Sequence, residues 1–267
     1  MACGGGARTI DRGPASLDPR RVAAGSQRVL RGLPGEVGGI MRRHWFAALL
    51  PAAILGAGAD VVFLVRHDLV AEIVVGLVLV IGFELYVGYA ELIVAADRGT
   101  GVRPPITTML WRALPLTPAL VIASLEAVSI PLLATGLLII PGLWLLTRWS
   151  LFAPAIVHEK LGPISSLRRS SALVRGFFWA VALTVSLSVL IEHAVIHASA
   201  HEAEPLLGSV ALGLIAAGLI TALVSAPAAF TISVVYERLA GDVHAGEDSG
   251  STHPRSEERP AERSAHA

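Results

Sequence analysis

The sequence predicts an all-α, polytopic integral membrane protein, and three observations carry that prediction. Of its 267 residues 54% are hydrophobic and only 16% are charged, whereas soluble domains carry about a quarter charged residues. The charge that exists is concentrated near the two ends. Between residues 45 and 240 the chain is almost wholly apolar, in runs long enough for roughly six spans of about 20 residues each, joined by short loops. A formal net charge of +0 gives no indication of nucleic-acid binding or of an acidic partner. The single cysteine, Cys3, has no mate for an intrachain disulfide. No secretory leader is expected, because the first long apolar run begins only near Trp45.

Residues 1–25 are rich in Gly, Arg, Pro and Ser, and a disordered tail is expected there. Residues 26–44 mix Arg28, Arg31, Arg42 and Arg43 with Val29, Leu30, Leu33, Val37 and Ile40. With Pro34, Gly35, Gly38 and Gly39 weakening a helix, they read as an interfacial lead-in to a 45–240 membrane domain. The first span is expected at 45–65, with Trp45 as a headgroup-level anchor. The second covers 69–96 and contains Glu72, Glu84 and Glu91; 97–105 read as a loop from Gly, Pro and charge. A third span is expected at 114–138, a turn at Pro141-Gly142, and a short fourth span at 143–157. Residues 160–175 read as a basic amphipathic helix, with Ile164, Leu167, Ser171 and Val174 along one face. The fifth and sixth spans are expected at 176–198 and 206–235, ahead of a disordered tail at 241–267.

Orientation follows from the basic residues. Arg8, Arg12, Arg20, Arg21, Arg28, Arg31, Arg42 and Arg43 precede the first span. Arg98, Arg103 and Arg112 lie between spans two and three, Lys160, Arg168, Arg169 and Arg175 between four and five, and Arg238, Arg255, Arg259 and Arg263 after the sixth. The opposite side holds Arg66. Both termini are therefore expected in the cytoplasm, and an even number of spans keeps the two sets apart.

Ionisable residues deep in a bilayer must pair or line a wet cavity, since each costs about 2.5–3.5 kcal/mol on insertion scales. Asp60, Glu84, Glu126 and Arg148 form such an intramembrane polar set; as partner of Arg148, depth in the bilayer points to Asp60 and the adjacency of spans three and four to Glu126, which is favoured. His193, His197 and His201 share one helix face at a spacing that suits a divalent metal, with Glu202 or Glu204 as oxygen donors. The plainer reading is a polar helix end entering an acidic outer loop, and it is favoured because no cysteine or second His-rich helix completes the site. No metal or cofactor is therefore assigned. For His158-Glu159, pairing with the following basic helix is favoured over general-base chemistry, which needs a partner the sequence does not reveal. Arg168, Arg169 and Arg175 suit anionic lipid headgroups. Gly213 with Ala217, and Gly218 with Ala222, give the small-residue spacing of close helix packing, more within the bundle than between copies.

Residues 140–181 read IPGLWLLTRWSLFAPAIVHEKLGPISSLRRSSALVRGFFWAV. The segment resembles the membrane domain of glycerophosphoryl diester phosphodiesterases and related multi-spanning prokaryotic proteins. The features that carry the likeness are Pro141-Gly142, Arg148, Ser150, Pro154, Glu159, Gly162-Pro163, Arg169-Ser170 and Arg175-Gly176. Ser165-Ser166 stand where relatives tend to carry a carboxylate and alanine. The resemblance implies the membrane architecture and a bacterial cytoplasmic membrane. It does not imply phosphodiesterase activity, because that chemistry belongs to a separate soluble barrel. The function expected is thus a lipid- or ligand-binding, transport-related or accessory component without catalysis. Alternatives from other classes are a metal- or acid-dependent intramembrane hydrolase, and a scaffold whose tails recruit cytoplasmic partners.

Overall fold

The computed structural model describes residue 27 and residues 30–65, 69–100, 105–137, 139–185, 187, 191 and 210–251. Those residues are helical with short connections, and no strand occurs among them. In chain order the helices are α1 (Leu33–Arg43), α2 (Trp45–Val65), α3 (Leu69–Thr100), α4 (Ile106–Ala113), α5 (Thr117–Leu137), α6 (Ile139–Trp149), α7 (Phe152–Glu159), α8 (Pro163–Val174), α9 (178–185) and α10 (Val210–Ser251). Four stretches are long and apolar enough to cross a membrane: Leu77–Gly99, Ile106–Pro131, Ile140–Glu159 and Gly218–Gly241.

Helix α1 forms despite its glycines. Gly32, at φ 72°, turns the chain in the left-handed region, and Pro34 occupies the first turn, where its missing N–H costs nothing. Leu33, Val37 and Ile40 are buried on one face, against the bundle. Helix α2 starts at Trp45 as the sequence suggested. It packs chiefly on α10, and the backbones come close: a Cβ added at Gly56 would stand 2.7 Å from Thr221 Cβ and 3.2 Å from Gly218 Cα. Gly218 thus serves helix contact within the bundle.

Several boundaries move from where composition put them. Asp97 and Arg98, expected in a loop, belong to α3, which runs on to Thr100. The third span begins early, at Ile106, and passes through a single 3-10 turn at Leu114–Leu116. Pro115 and Pro118 cannot donate in an α-helical ladder there, and Thr117 Oγ1 donates to the Ala113 carbonyl at 3.3 Å. Pro141-Gly142 do not make a turn: they lie in the first turn of α6, a position that tolerates proline. The interruption comes instead at Ser150-Leu151, between α6 and α7. Pro154 has no N–H for the Ser150 carbonyl and its ring crowds it. Ser170, from α8, splints the gap: its hydroxyl accepts from Leu151 N–H at 3.1 Å and donates to the Arg148 carbonyl at 2.9 Å.

Lys160, at φ 52°, ends α7, and Pro163 opens α8. The buried stripe of α8 is Ser166, Leu167, Ser170, Ser171, Leu173 and Val174; Ile164, expected on that face, is 57% exposed. Helix α10 continues through 241–251, where a tail without periodicity was expected. A helix once nucleated propagates cheaply. Of the fifth span expected at 176–198, residues 176 and 177 belong to a turn, 178–185, 187 and 191 are helical, and the remainder lies outside the described residues.

The core forms where α3, α7 and α10 meet, around Ile93, Phe152, Ile156, Phe230, Tyr236 and Leu239. Large apolar side chains cover the outside instead, including Ile54, Ile140, Trp179, Leu183 and Leu223. That inversion suits a surface facing lipid. Trp45, Trp111 and Trp179, at 60%, 73% and 81% exposure, follow close on Arg43 and Arg175 or precede Arg112 in the chain, as interfacial tryptophans do.

Candidate functional site

At the charged end of the bundle three helices bring together residues far apart in sequence. Glu91 is on α3, His158 in the last turn of α7 and Glu237 on α10. Small residues let these helices approach: Ala90, Ala153, Ala155, Ala229 and Ser233 are each 0% exposed. His158 Nδ1 lies 3.0 Å from Glu237 Oε1 and 3.4 Å from Glu91 Oε1. One donor atom from each residue falls within 4.8 Å of the other two.

Glu91 is 0% exposed, and neither of its carboxylate oxygens has a hydrogen-bond partner; Glu237 Oε1 has none either. His158 stands at ion-pair distance from both carboxylates, yet these oxygens are left without a hydrogen bond. A buried carboxylate in that condition is costly, because it has lost water and gained no equivalent. The way out is on the His158 side, where the imidazole is 41% exposed. Tyr236 closes one flank with its ring edge-on to the imidazole at 5.8 Å.

Around this trio the charged side chains Glu36, Arg98, Glu159, Arg169 and Arg238 are engaged in pairs. Arg98 donates to Glu237 Oε2 at 3.2 Å, leaving Oε1 to face His158, and also to Glu36 Oε1 at 2.5 Å. The other Glu36 oxygen accepts two bonds from Arg238, at 2.5 and 3.2 Å. Partial burial alone would raise the Glu36 carboxyl, but the Arg238 and Arg98 guanidinium groups outweigh it and hold the group below the usual carboxylate range. Through Glu36, helix α1 thus ties α3 to α10 beside the trio. A second group at the same end joins Arg43, His44 and Asp97. Arg43 donates to both Asp97 oxygens, at 2.9 and 2.6 Å, and His44 Nε2 stands 3.0 Å from Oδ1. Glu159, next to His158, accepts from Arg169 at 2.7 Å and from the Tyr236 hydroxyl at 2.6 Å.

The residues singled out from sequence fare differently. Glu159 does pair with the basic helix, through Arg169. Arg169 is therefore occupied, while Arg168 and Arg175 are exposed. Arg148 and Glu126 form no ion pair among the described residues; the Arg148 guanidinium lies 4.8 Å from the centre of the Trp144 ring, one turn back on its own helix. At that short range an aromatic face holds a cation without any cross-helix reach. Glu84 and Glu126 are half-buried, and neither is in the trio. The Asp60 side chain, and His193, His197 and His201, lie outside the described residues. Within the family-like segment, Arg148, Pro154, Glu159, Gly162 and Ser170 line the α6–α7–α8 junction, and Gly176 follows it. Glu91 and Glu237 were missed as site residues. The one signal available was their charge close to the end of an apolar run, which marks many interfacial residues equally.

Apolar helices of membrane-crossing length, a lipid-suited exterior and a polar cluster enclosed at one end define a polytopic helical membrane protein. No protein-family model, curated protein or solved structure matches the chain.

Proposed function

We propose that this is a six-span protein of a bacterial cytoplasmic membrane, with both termini in the cytoplasm, that binds a cation at the cytoplasmic end of its bundle. It acts as a ligand-binding or transport-related component without catalysis of its own. The observation that carries the ligand is Glu91, wholly buried, without a hydrogen bond to either carboxylate oxygen, and converging with His158 and Glu237. The 21-residue apolar helix α2 supports a fifth crossing beside the four long apolar stretches, and helical residues 178–185 fall where the sequence puts the start of a sixth. The basic residues support the orientation, because Arg43, Arg98, Arg169 and Arg238 gather at the end bearing the site. The resemblance of residues 140–181 to the membrane domain of glycerophosphoryl diester phosphodiesterases supports the architecture, and exposed Arg168 and Arg175 suit anionic headgroups at that face.

The test is thermal unfolding of the purified chain in detergent, screened with monovalent cations, divalent cations and small organic amines. At least one cation should stabilise wild type and not Glu91→Gln. Identical responses of the two proteins to every cation would overturn the reading. The orientation is checked by a cytoplasm-dependent reporter, which should be active after Gly101 and after Ala267.

The trio also suits activation of a metal-bound water, which favours an intramembrane hydrolase as the second reading. Hydrolysis of a lipid or peptide ester that needs added divalent metal and fails in Glu91→Gln would select it.

A further inference from the structure

We infer that the cation is a divalent first-row transition-metal ion, of the manganese-to-zinc group, held by Glu91, His158 Nδ1 and Glu237 Oε1 with an open coordination position on the exposed side of His158. The inference rests on the cation-site reading above and names the ligand class of that site. Three features on the page select it.

The first is donor chemistry. Imidazole nitrogen suits zinc, iron, nickel and copper, carboxylate oxygen suits manganese and harder ions, and a mixed set suits the divalent metals between. Calcium takes six to eight oxygens, and magnesium keeps several waters and few protein ligands. Neither has use for an imidazole converging on two carboxylates. The second is geometry. At metal–donor distances of about 2.1 Å, tetrahedral donors stand about 3.4 Å apart. His158 Nδ1 and Glu91 Oε1 are 3.4 Å apart, His158 Nδ1 and Glu237 Oε1 3.0 Å, and all three donors fall within 4.8 Å. Small side-chain adjustments make the set tetrahedral. The third is charge: two carboxylates and one divalent ion sum to neutrality, which suits a group as deeply buried as Glu91.

The surroundings match those of a metal site. Ligating carboxylates are held by outer partners that fix which oxygen faces the metal, and Arg98 does this for Glu237 by occupying Oε2. Arg98 is in turn held by Glu36, so its charge is shared away from the metal position. Glu91 comes from one side, His158 and Glu237 from the others, and His158 is the most exposed of the three side chains. Three protein ligands leave the fourth position for water or an incoming group, the open arrangement of exchangeable sites rather than the closed one of structural sites.

The experiment uses the full-length chain in detergent, stripped with a chelator and titrated by calorimetry with zinc, manganese, calcium and magnesium chlorides. Wild type should bind one zinc or manganese ion. Glu91→Gln and His158→Gln should each weaken that binding by about 100-fold, and both should unfold at temperatures close to metal-free wild type. A His193→Ala, His197→Ala, His201→Ala triple variant should bind as wild type does, which separates this site from the outer histidines. Zinc binding lost only in the triple variant would overturn the proposal. Calcium or magnesium binding that depends on Glu91 but not on His158 would also overturn it, leaving the cation-site reading intact. Failure of every metal and every other cation to respond to Glu91→Gln would remove both.

Discussion

Two carboxylate–histidine groups share the charged end of the bundle and are built from the same kinds of residue, yet one is saturated and the other is not. Asp97 accepts from Arg43 at both oxygens and stands 3.0 Å from His44, so both carboxylate oxygens have partners. Glu91 is more deeply buried and has no hydrogen bond, with the nearest imidazole nitrogen 3.4 Å away. The first arrangement is what a fold needs to join α1 and α2 to α3. The second leaves buried polar atoms unsatisfied, and the proposed cation is what would satisfy them. Burial alone does not separate structure from function here; satisfaction of the buried atoms does.

The comparison breaks most visibly at Asp97. Asp97→Ala should lower stability by about 2 kcal/mol, measured by denaturant unfolding in mixed micelles. Most of that comes from His44, whose side chain is 5% exposed and would lose its acceptor; Arg43, at 53%, would turn to water with little loss. A variant as stable as wild type would mean that the group is not a clamp.

Glu91→Gln should move the other way. In the metal-free protein the change replaces an unsatisfied buried carboxyl by an amide of the same shape while leaving His158 its shorter approach to Glu237. Stability should therefore be unchanged or raised by about 1 kcal/mol in the same assay. A loss comparable to that of Asp97→Ala would make Glu91 a second clamp and erase the contrast.

The smallest effect, and the one that sharpens the contrast, is at Glu36. Glu36→Gln should cost less than about 1 kcal/mol at neutral pH, since its pairs with Arg98 and Arg238 are about a third exposed and screened. Its folded-state pKa lies below the ordinary value of 4.5. The contribution is therefore complete above pH 4.5 and disappears as the pH falls through the lower folded value. Wild type and variant should converge in stability in that acid range. A gap that persists there would show that the charge of Glu36 is not what ties α1 to the bundle.

Legibility from sequence divides along the same line. Trp45–Val65 as a helix was readable, because an apolar run bounded by charge has one solution in lipid. The helical nature of Pro163–Val174 was readable too, though its buried face turned out shifted, with Ile164 outside. The break at Ser150-Leu151 was not, since the same prolines could have stopped the chain at Pro141; Ser170, reaching across from α8, is what satisfies the interruption where it occurs. Arg148 shows the limit of pairing buried charges across neighbouring spans, which misses the Trp144 face beside it on its own helix.

What the sequence by itself determined is a chain of apolar helices with its basic residues biased to one side, because bilayer thickness and charge transfer act on composition and length alone. What the tertiary structure alone decided is which of the charged residues near the helix ends meet. Glu91, His158 and Glu237 lie on three different helices, and no local spacing encodes their convergence. It follows from how α3, α7 and α10 rotate about their axes to bury Ile93, Ile156 and Tyr236. That rotation is set by side-chain packing between helices, which the order of residues along any one of them does not contain.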